Sequence, residues 1–302
     1  MSRKKATAER RGLSGTPQGA AFDGQTLRID SRFRHRYGTG SSAFIPPSPY
    51  VSCSWKAAMN RSVFDPIARD YEKIHNQNLP PGVRSNEFVT QKAEKISQWI
   101  LRYRKTGVFR FLDFGCGNGR LMKALMDSDS LKPLLKQERL QLSGHDTSIE
   151  SLKEARRIVG DTRIPLVSSM TSFSPEIRFD MVVCCNVFHH IPPSKRPRIA
   201  KTLFRRTTPG AAFVIWEHNP FNPATRALIR ICPFDKGVRL MPLRESMDLF
   251  ESQGFQLDRS AYVHIFPPRW RRFEMVSFLE GELERVPLGA QYWAMFKRPA
   301  DI

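Results

Sequence analysis

The stretch FLDFGCGNGR, residues 111–120, ends an apolar run in an acid, Asp113, and then alternates three glycines, Gly115, Gly117 and Gly119. Glycines at this spacing let a chain turn tightly and bring backbone N–H groups close to a ligand with no Cβ in the way. Where such a turn joins a strand to a helix, it makes the binding corner of an open α/β sheet. The dinucleotide fingerprint G-x-G-x-x-G needs glycine at position 120, where this chain has Arg120. Asp113 would also repel a diphosphate and suits a cationic amine. Both features count against a nicotinamide-dependent oxidoreductase. A second acid, Asp146, follows the next apolar run in LSGHDTS, where its two oxygens could accept both hydroxyls of a ribose. The ligand so described carries a ribose and an amine but no phosphate.

S-adenosylmethionine has this profile. FLDFGCGNGR, GHDTSIESLKEA and FDMVVCCNVFHHI resemble, in order and spacing, the successive motifs of class I S-adenosylmethionine-dependent methyltransferases. FDPIARDYEKIHN, WEHNPFNPATR, CPFD and PLGAQYW are further similar to segments of a bacterial methyltransferase group of undefined substrate, so the resemblance runs over roughly residues 60–302. It implies that Gly115, Cys116 and Gly117 line the methionine part, that Asp113 helps hold its amine and that Asp146 holds the ribose, with Gly119 and Thr147 as further cofactor contacts. Members of the class often have an acid after the third strand, near the adenine. Here VSSMTSF stands there, which leaves Ser169 and the backbone at Met170 as substitutes. Plainer roles exist for several of these residues: Asp113 could simply cap the glycine turn, and Thr147 or Ser148 could cap the helix that follows Asp146.

The sulfonium methyl is already activated, so the protein must hold the acceptor in line, exclude water and, for a hydroxyl acceptor, supply a base. The fourth strand ends in Asn186 and continues to His189 and His190. The resemblance places Asn186, and less directly His189, between methionine and acceptor, with His190 as the packing member of the pair. The fifth strand ends in WEHNPFNPATR, where His218 is the first candidate for general base and Asn222 or Arg226 would grip the acceptor. A cap on a helix starting near Pro223 accounts for Asn222 equally well. Tyr71 and His75, four apart on one helix face, and Lys92 are candidate substrate contacts; Gln291 and Tyr292 are placed to close the pocket from the last strand. A metal site would need a third ligand beside the two histidines; none stands at diagnostic spacing, and no metal is expected.

The elements that must position these residues can be read from periodicity. Apolar residues at three- and four-residue steps predict helices over 64–77 and 87–103. Then strands (108–115, 140–146, 163–169, 179–188, 210–218, 256–266, 290–298) alternate with helices (119–128, 148–159, 194–207, 243–255, 270–284). This pattern predicts an α/β fold, a Rossmann-like doubly wound, mostly parallel seven-stranded sheet behind a helical N-terminal cap. Residues 1–50 read as a basic flexible tail, 51–105 as the cap and 106–302 as the methyltransferase domain.

At 302 residues and 40 % hydrophobic content the chain can bury a full core. No apolar run is long enough to span a bilayer and the start has no apolar h-region, so a cytoplasmic protein is expected. Five cysteines (Cys53, Cys116, Cys184, Cys185, Cys232) in no metal-binding spacing read as reduced thiols. The net charge is +19, of which residues 1–40 supply +6. That balance favours anionic partners or a solvated basic surface. The leading expectation is methyl transfer to a small-molecule or glycan acceptor, most simply O-methylation. RNA methylation is the rival, since SKRPRIAKTLFRR and PPRWRRF could neutralise phosphates. A relative that binds without catalysis is the third reading.

Overall fold

In the strand FRFLDF successive side chains must point to opposite faces, and both faces are apolar, so both must be covered. The computed structural model, which describes Ser62 and residues 64–104 and 106–300, shows how. The basic tail 1–50, the first residues of the cap and Cys53 lie outside the described residues. Asp65–Ile67 form a 3-10 turn, followed by α1 (Tyr71–Asn78) and α2 (Ser85–Tyr103). Then come β1 (Phe109–Phe114), α3 (Arg120–Asp127), the short α4 (Lys132–Lys136), β2 (Leu140–His145), α5 (Ile149–Val159), β3 (Leu166–Val167) and β4 (Phe179–Cys185). The chain continues through α6 (Arg196–Arg205), β5 (Thr207–His218), α7 (Pro223–Ile231), α8 (Leu243–Glu251), β6 (Gln256–Val263), α9 (Glu274–Glu282) and β7 (Gln291–Lys297).

The strands form one seven-stranded sheet in the order β3-β2-β1-β4-β5-β7-β6. The pairs β1–β2, β1–β4, β2–β3 and β4–β5 are parallel. β7 inserts antiparallel between β5 and β6, with His218 opposite Gln291 and Trp216 opposite Trp293. The expected fold is therefore the observed one. Phe109 and Phe111 join Ile96, Trp99, Ile100, Met122 and Leu125 in the core under α2 and α3. Leu112 and Phe114 join Phe179, Leu203, Phe213, Phe250 and Phe296 under α6 and α8. The strand order reverses between β1 and β4, and a crevice must open there at the carboxyl ends.

Three elements differ from the periodic reading. The helix expected over 64–77 is split, because Pro66 lies in the 3-10 turn and regular helix begins only at Tyr71. The third strand shrinks to Leu166–Val167: Asp161–Ile164 close a turn, and Pro165, with no N–H, contributes only its carbonyl, to Gly144 N at 2.8 Å. The helix expected over 270–284 becomes a 3-10 turn, Pro268–Arg272, and then α9. No helix of the described residues is long and apolar enough to cross a membrane. The four described cysteines are all free thiols.

Arg196 is almost fully buried (2 % exposed) and holds two loops together. Its guanidinium donates to Ile191 O at 3.0 Å, Arg239 O at 2.6 Å and Glu245 Oε1 at 2.7 Å. The loop that leaves β4 is thereby tied to the segment before α8. Breaking such a pair leaves a carboxylate and two carbonyls short of a donor. Arg196→Ala is expected to lower unfolding stability by about 3 kcal/mol; urea unfolding that shows a loss under about 1 kcal/mol would contradict the stapling role.

Candidate functional site

The glycine turn is built by backbone geometry first. Gly115, Gly117 and Gly119 all have positive φ (80°, 52° and 77°). At Gly115 a Cβ would stand 2.3 Å from Val187 Cγ2, so the loop after β4 packs directly on the turn. At Gly117 a Cβ would meet nothing within 4 Å: this glycine borders open space. The amides of Gly115 and Cys116 donate to His145 O at 2.7 and 2.9 Å and lock the turn to the end of β2. Asp146 completes the lock, Oδ2 accepting from Gly117 N and Oδ1 from Ser148 N, both at 2.8 Å. Ser148 caps α5 through Ser151 N at 3.0 Å and donates to Asp65 Oδ1 at 2.6 Å, reaching the cap.

Arg120, the residue that breaks the dinucleotide fingerprint, has a structural use. It donates to Glu72 at 2.9 Å, Asn86 at 3.1 Å and Ser85 at 3.2 Å, so α1 and α2 are pinned to the start of α3. The cap then closes over the carboxyl ends of the strands. Phe64 stands edge-on to His190 at 4.9 Å between ring centroids, and Tyr71 lies 4.9 Å from Phe234.

Between cap and sheet lies a cavity of about 440 Å³, within the size range of small-ligand sites. Asp113, Gly115, Cys116, Gly117, Asp146, Thr147, Asn186, His189, His218, Tyr71, His75 and Lys92 all border it. Gly119, Ser169, Met170, Asn222 and Arg226 do not. Gly119 begins α3 with left-handed backbone and faces Val159 and Ala155. Ser169 caps the 3-10 turn Met170–Ser172, and Met170 O accepts from Arg206 at 3.0 Å. Asn222 caps α7, accepting from Thr225 N at 2.9 Å and donating to Leu288 O at 2.7 Å. Arg226 is exposed on α7. Gln291 borders the cavity and accepts from Trp216 Nε1 at 2.9 Å, whereas the Tyr292 hydroxyl is buried against Ser246 and Met241 O.

At the glycine end, Asp113 is 2 % exposed. Burial, reinforced by the charge of Asp146 and opposed by Lys92, pushes its carboxyl up to about 7. Asn186, in left-handed backbone at φ 57°, has a buried Oδ1 with no hydrogen-bond partner. A raised carboxyl, an unpartnered amide oxygen and an open glycine face are what a cationic, hydrogen-bonding ligand would relieve. These residues fit an amino-acid amine, and Asp146 fits the ribose.

The opposite end is made of histidines and acids. Glu217, fully buried at the end of β5, accepts from Val187 N at 2.9 Å and Phe188 N at 2.7 Å, and meets His189 Nδ1 at 2.5 Å. Burial opposes its charge, but the neighbouring histidines hold Glu217 down at about 2. Burial likewise works against a charged His189, yet Glu217 and Asp235 hold it up at about 9. His218 lies 5.1 Å from His189, ring to ring; burial and the His189 charge push it down to about 3, leaving a neutral imidazole. Asp235, brought in by the 3-10 turn Pro233–Asp235, completes this end, 3.6 Å from His189 Nε2 and 3.4 Å from His190 Nε2.

Asp235 was not among the candidates from sequence. Its only signal was the CPFD segment, and nothing in spacing joins it to histidines 45 residues away. His190, expected as packing, also borders the cavity.

Residues 112–213, from β1 into β5, match the methyltransferase-domain family. These residues are similar to a methyltransferase domain. The match covers the glycine turn, Asp146, Asn186 and His189, the residues that build one end of the cavity and part of the other. No curated protein matches the chain in sequence. Among solved structures, magnesium protoporphyrin IX methyltransferase from Synechocystis PCC 6803, crystallised with bound SAH, is 14 % identical at TM-score 0.53, over 80 % of this chain and 98 % of that one. An S-adenosylmethionine-dependent methyltransferase from Thermotoga maritima is 16 % identical at TM-score 0.52, over 78 % and 98 %. At such identities these two likenesses show the fold alone.

The raised Asp113 carboxyl has a sign-definite effect on this domain. Between the usual 3.8 and about 7, the unfolded chain has lost this proton and the folded, ligand-free chain still holds it. Asp113 therefore lowers stability as pH rises through that window, by roughly 4 kcal/mol at most. Urea unfolding from pH 4 to 8 is expected to show the wild type losing stability relative to Asp113→Asn as pH rises. A difference independent of pH would contradict the assignment.

Proposed function

We propose that this chain transfers a methyl group from S-adenosylmethionine to a hydroxyl of a small-molecule or glycan acceptor. The observation that carries the reading is one cavity that joins a ribose- and amine-binding end to a wall of histidines. S-adenosylmethionine, when bound, supplies a methyl group activated by a positively charged sulfur. Asp113 faces the amine, Asp146 and Thr147 the ribose, and Gly115, Cys116 and Gly117 the methionine part. Asn186 offers its free amide oxygen at the junction of the two ends.

His218 is the base. It stands at the carboxyl end of β5, on the cavity wall, where an acceptor hydroxyl can meet its ring. His189 is held by Glu217 with its other edge toward the cavity, and the aromatic cap formed by Phe64, Tyr71 and Phe234 excludes water from the same end. Lys92, over the Trp216 ring at 5.5 Å, and His75 contribute donors from the cap. The HNPFNPATR segment begins at His218, the last residue of β5, and starts α7; we place the chain with the bacterial group that shares it. A cavity of this size favours a small acceptor, or the end of a glycan, over RNA.

Asp146→Ala and Gly117→Val are each expected to abolish binding of S-adenosylmethionine in a calorimetric titration. His218→Ala is expected to keep that binding and to slow methyl transfer about 100-fold or more. Normal turnover by the His218 variant would remove it from the base role. Steeply salt-dependent binding to RNA, with methyl incorporation into it, would move the acceptor to the nucleic-acid class.

A further inference from the structure

We infer that His189 Nε2, His190 Nε2 and a carboxylate oxygen of Asp235 form a site for one divalent first-row transition-metal cation at the acceptor end of the cavity. One ligand atom from each residue lies within 4.8 Å of the others. Asp235 Oδ1 is 3.6 Å from His189 Nε2 and 3.4 Å from His190 Nε2. Those distances are long for hydrogen bonds. They match two donors sharing a tetrahedral ion, which stand about 3.4 Å apart when each metal bond is about 2.1 Å.

The surroundings are those of a ligand set held in place. His189 Nδ1 is engaged by the Glu217 carboxylate at 2.5 Å, which fixes the ring and aims Nε2 at the site, where the ion takes the place of the Nε2 proton, the arrangement that orients histidine ligands in metal sites. Glu217 is itself fastened by two backbone amides. His190 is set by the edge of Phe64, and Asp235 by the 3-10 turn that begins at Pro233. All three residues border the cavity, so coordination positions left open by three protein ligands face the ligand space. Two imidazoles and one carboxylate suit zinc, cobalt, iron or nickel better than magnesium or calcium, which prefer all-oxygen sets.

The use of the ion rests on the methyl-transfer reading, whereas its binding does not. A hydroxyl that ligates a divalent cation gives up its proton more readily, and His218, next to His189, is placed to take it. The site therefore selects an acceptor with an oxygen able to ligate a metal.

The test is a titration of Co²⁺ into the full-length chain after removal of metals with a chelator, read by visible absorption. One Co²⁺ per chain is expected, with the ligand-field bands of a low-coordinate nitrogen and oxygen site. His190→Ala and Asp235→Asn should each lose the bands and weaken binding at least 100-fold. His190→Gln, which keeps the side-chain volume, should do the same, and thermal unfolding of each variant confirms that it is folded. No saturable Co²⁺ in the wild type, or equal binding in the folded variants, overturns the site. S-adenosylhomocysteine binding is measured separately, so Co²⁺ binding without it supports the site while removing its use in methyl transfer.

Discussion

The buried carboxylate of Glu217 is the interaction on which the histidine end of the site depends. It sits at the end of β5 and reaches across to the loop after β4, taking Val187 N, Phe188 N and the His189 ring. An ionised carboxylate with so little water around it survives only because three donors surround it. In return it fixes the loop that presses Val187 against Gly115 and turns Asn186 into left-handed backbone. One charge thus organises both the glycine end and the histidine end of the cavity. Losing it would leave His189 unaligned and the amides of Val187 and Phe188 without an acceptor.

The parts of this architecture that follow local rules were legible in the sequence. Strand alternation and helix periodicity gave seven strands in their right places, and the acid–glycine pattern marked the turn. The shortfalls came where prolines and caps cut across the periodicity, and where tertiary closure decides. Pro165 removed a donor and shortened β3, and Pro66 split the first helix. Asn222 obeyed the capping rule rather than the ligand-binding one, because its side chain finds Thr225 N three residues on. Ser169 likewise spends its hydroxyl on its own turn. Asp235 reaches the histidines only because the 3-10 turn at Pro233 folds back under the cap. Glu217 was visible as one polar residue among several in a loop, but its role depends on a neighbour from another strand.

The cap converts an open crevice into a chamber. Its attachment runs through Arg120 to Glu72, Ser85 and Asn86, and through the buried Ser148 to Asp65. The one ion pair among them, Arg120–Glu72, has a half-exposed carboxylate and contributes little, whereas the ring contacts among Phe64, Tyr71, His75 and Phe234 bury apolar area over the histidine end.

The central claim is that the cavity is built for a nucleoside with an amine and no phosphate. The most direct measurement is calorimetric titration of S-adenosylmethionine into the full-length chain, with NADH titrated under the same conditions. Saturable binding of one S-adenosylmethionine per chain and no binding of NADH is the expected result. Saturable binding of NADH, or no binding of S-adenosylmethionine, would contradict it.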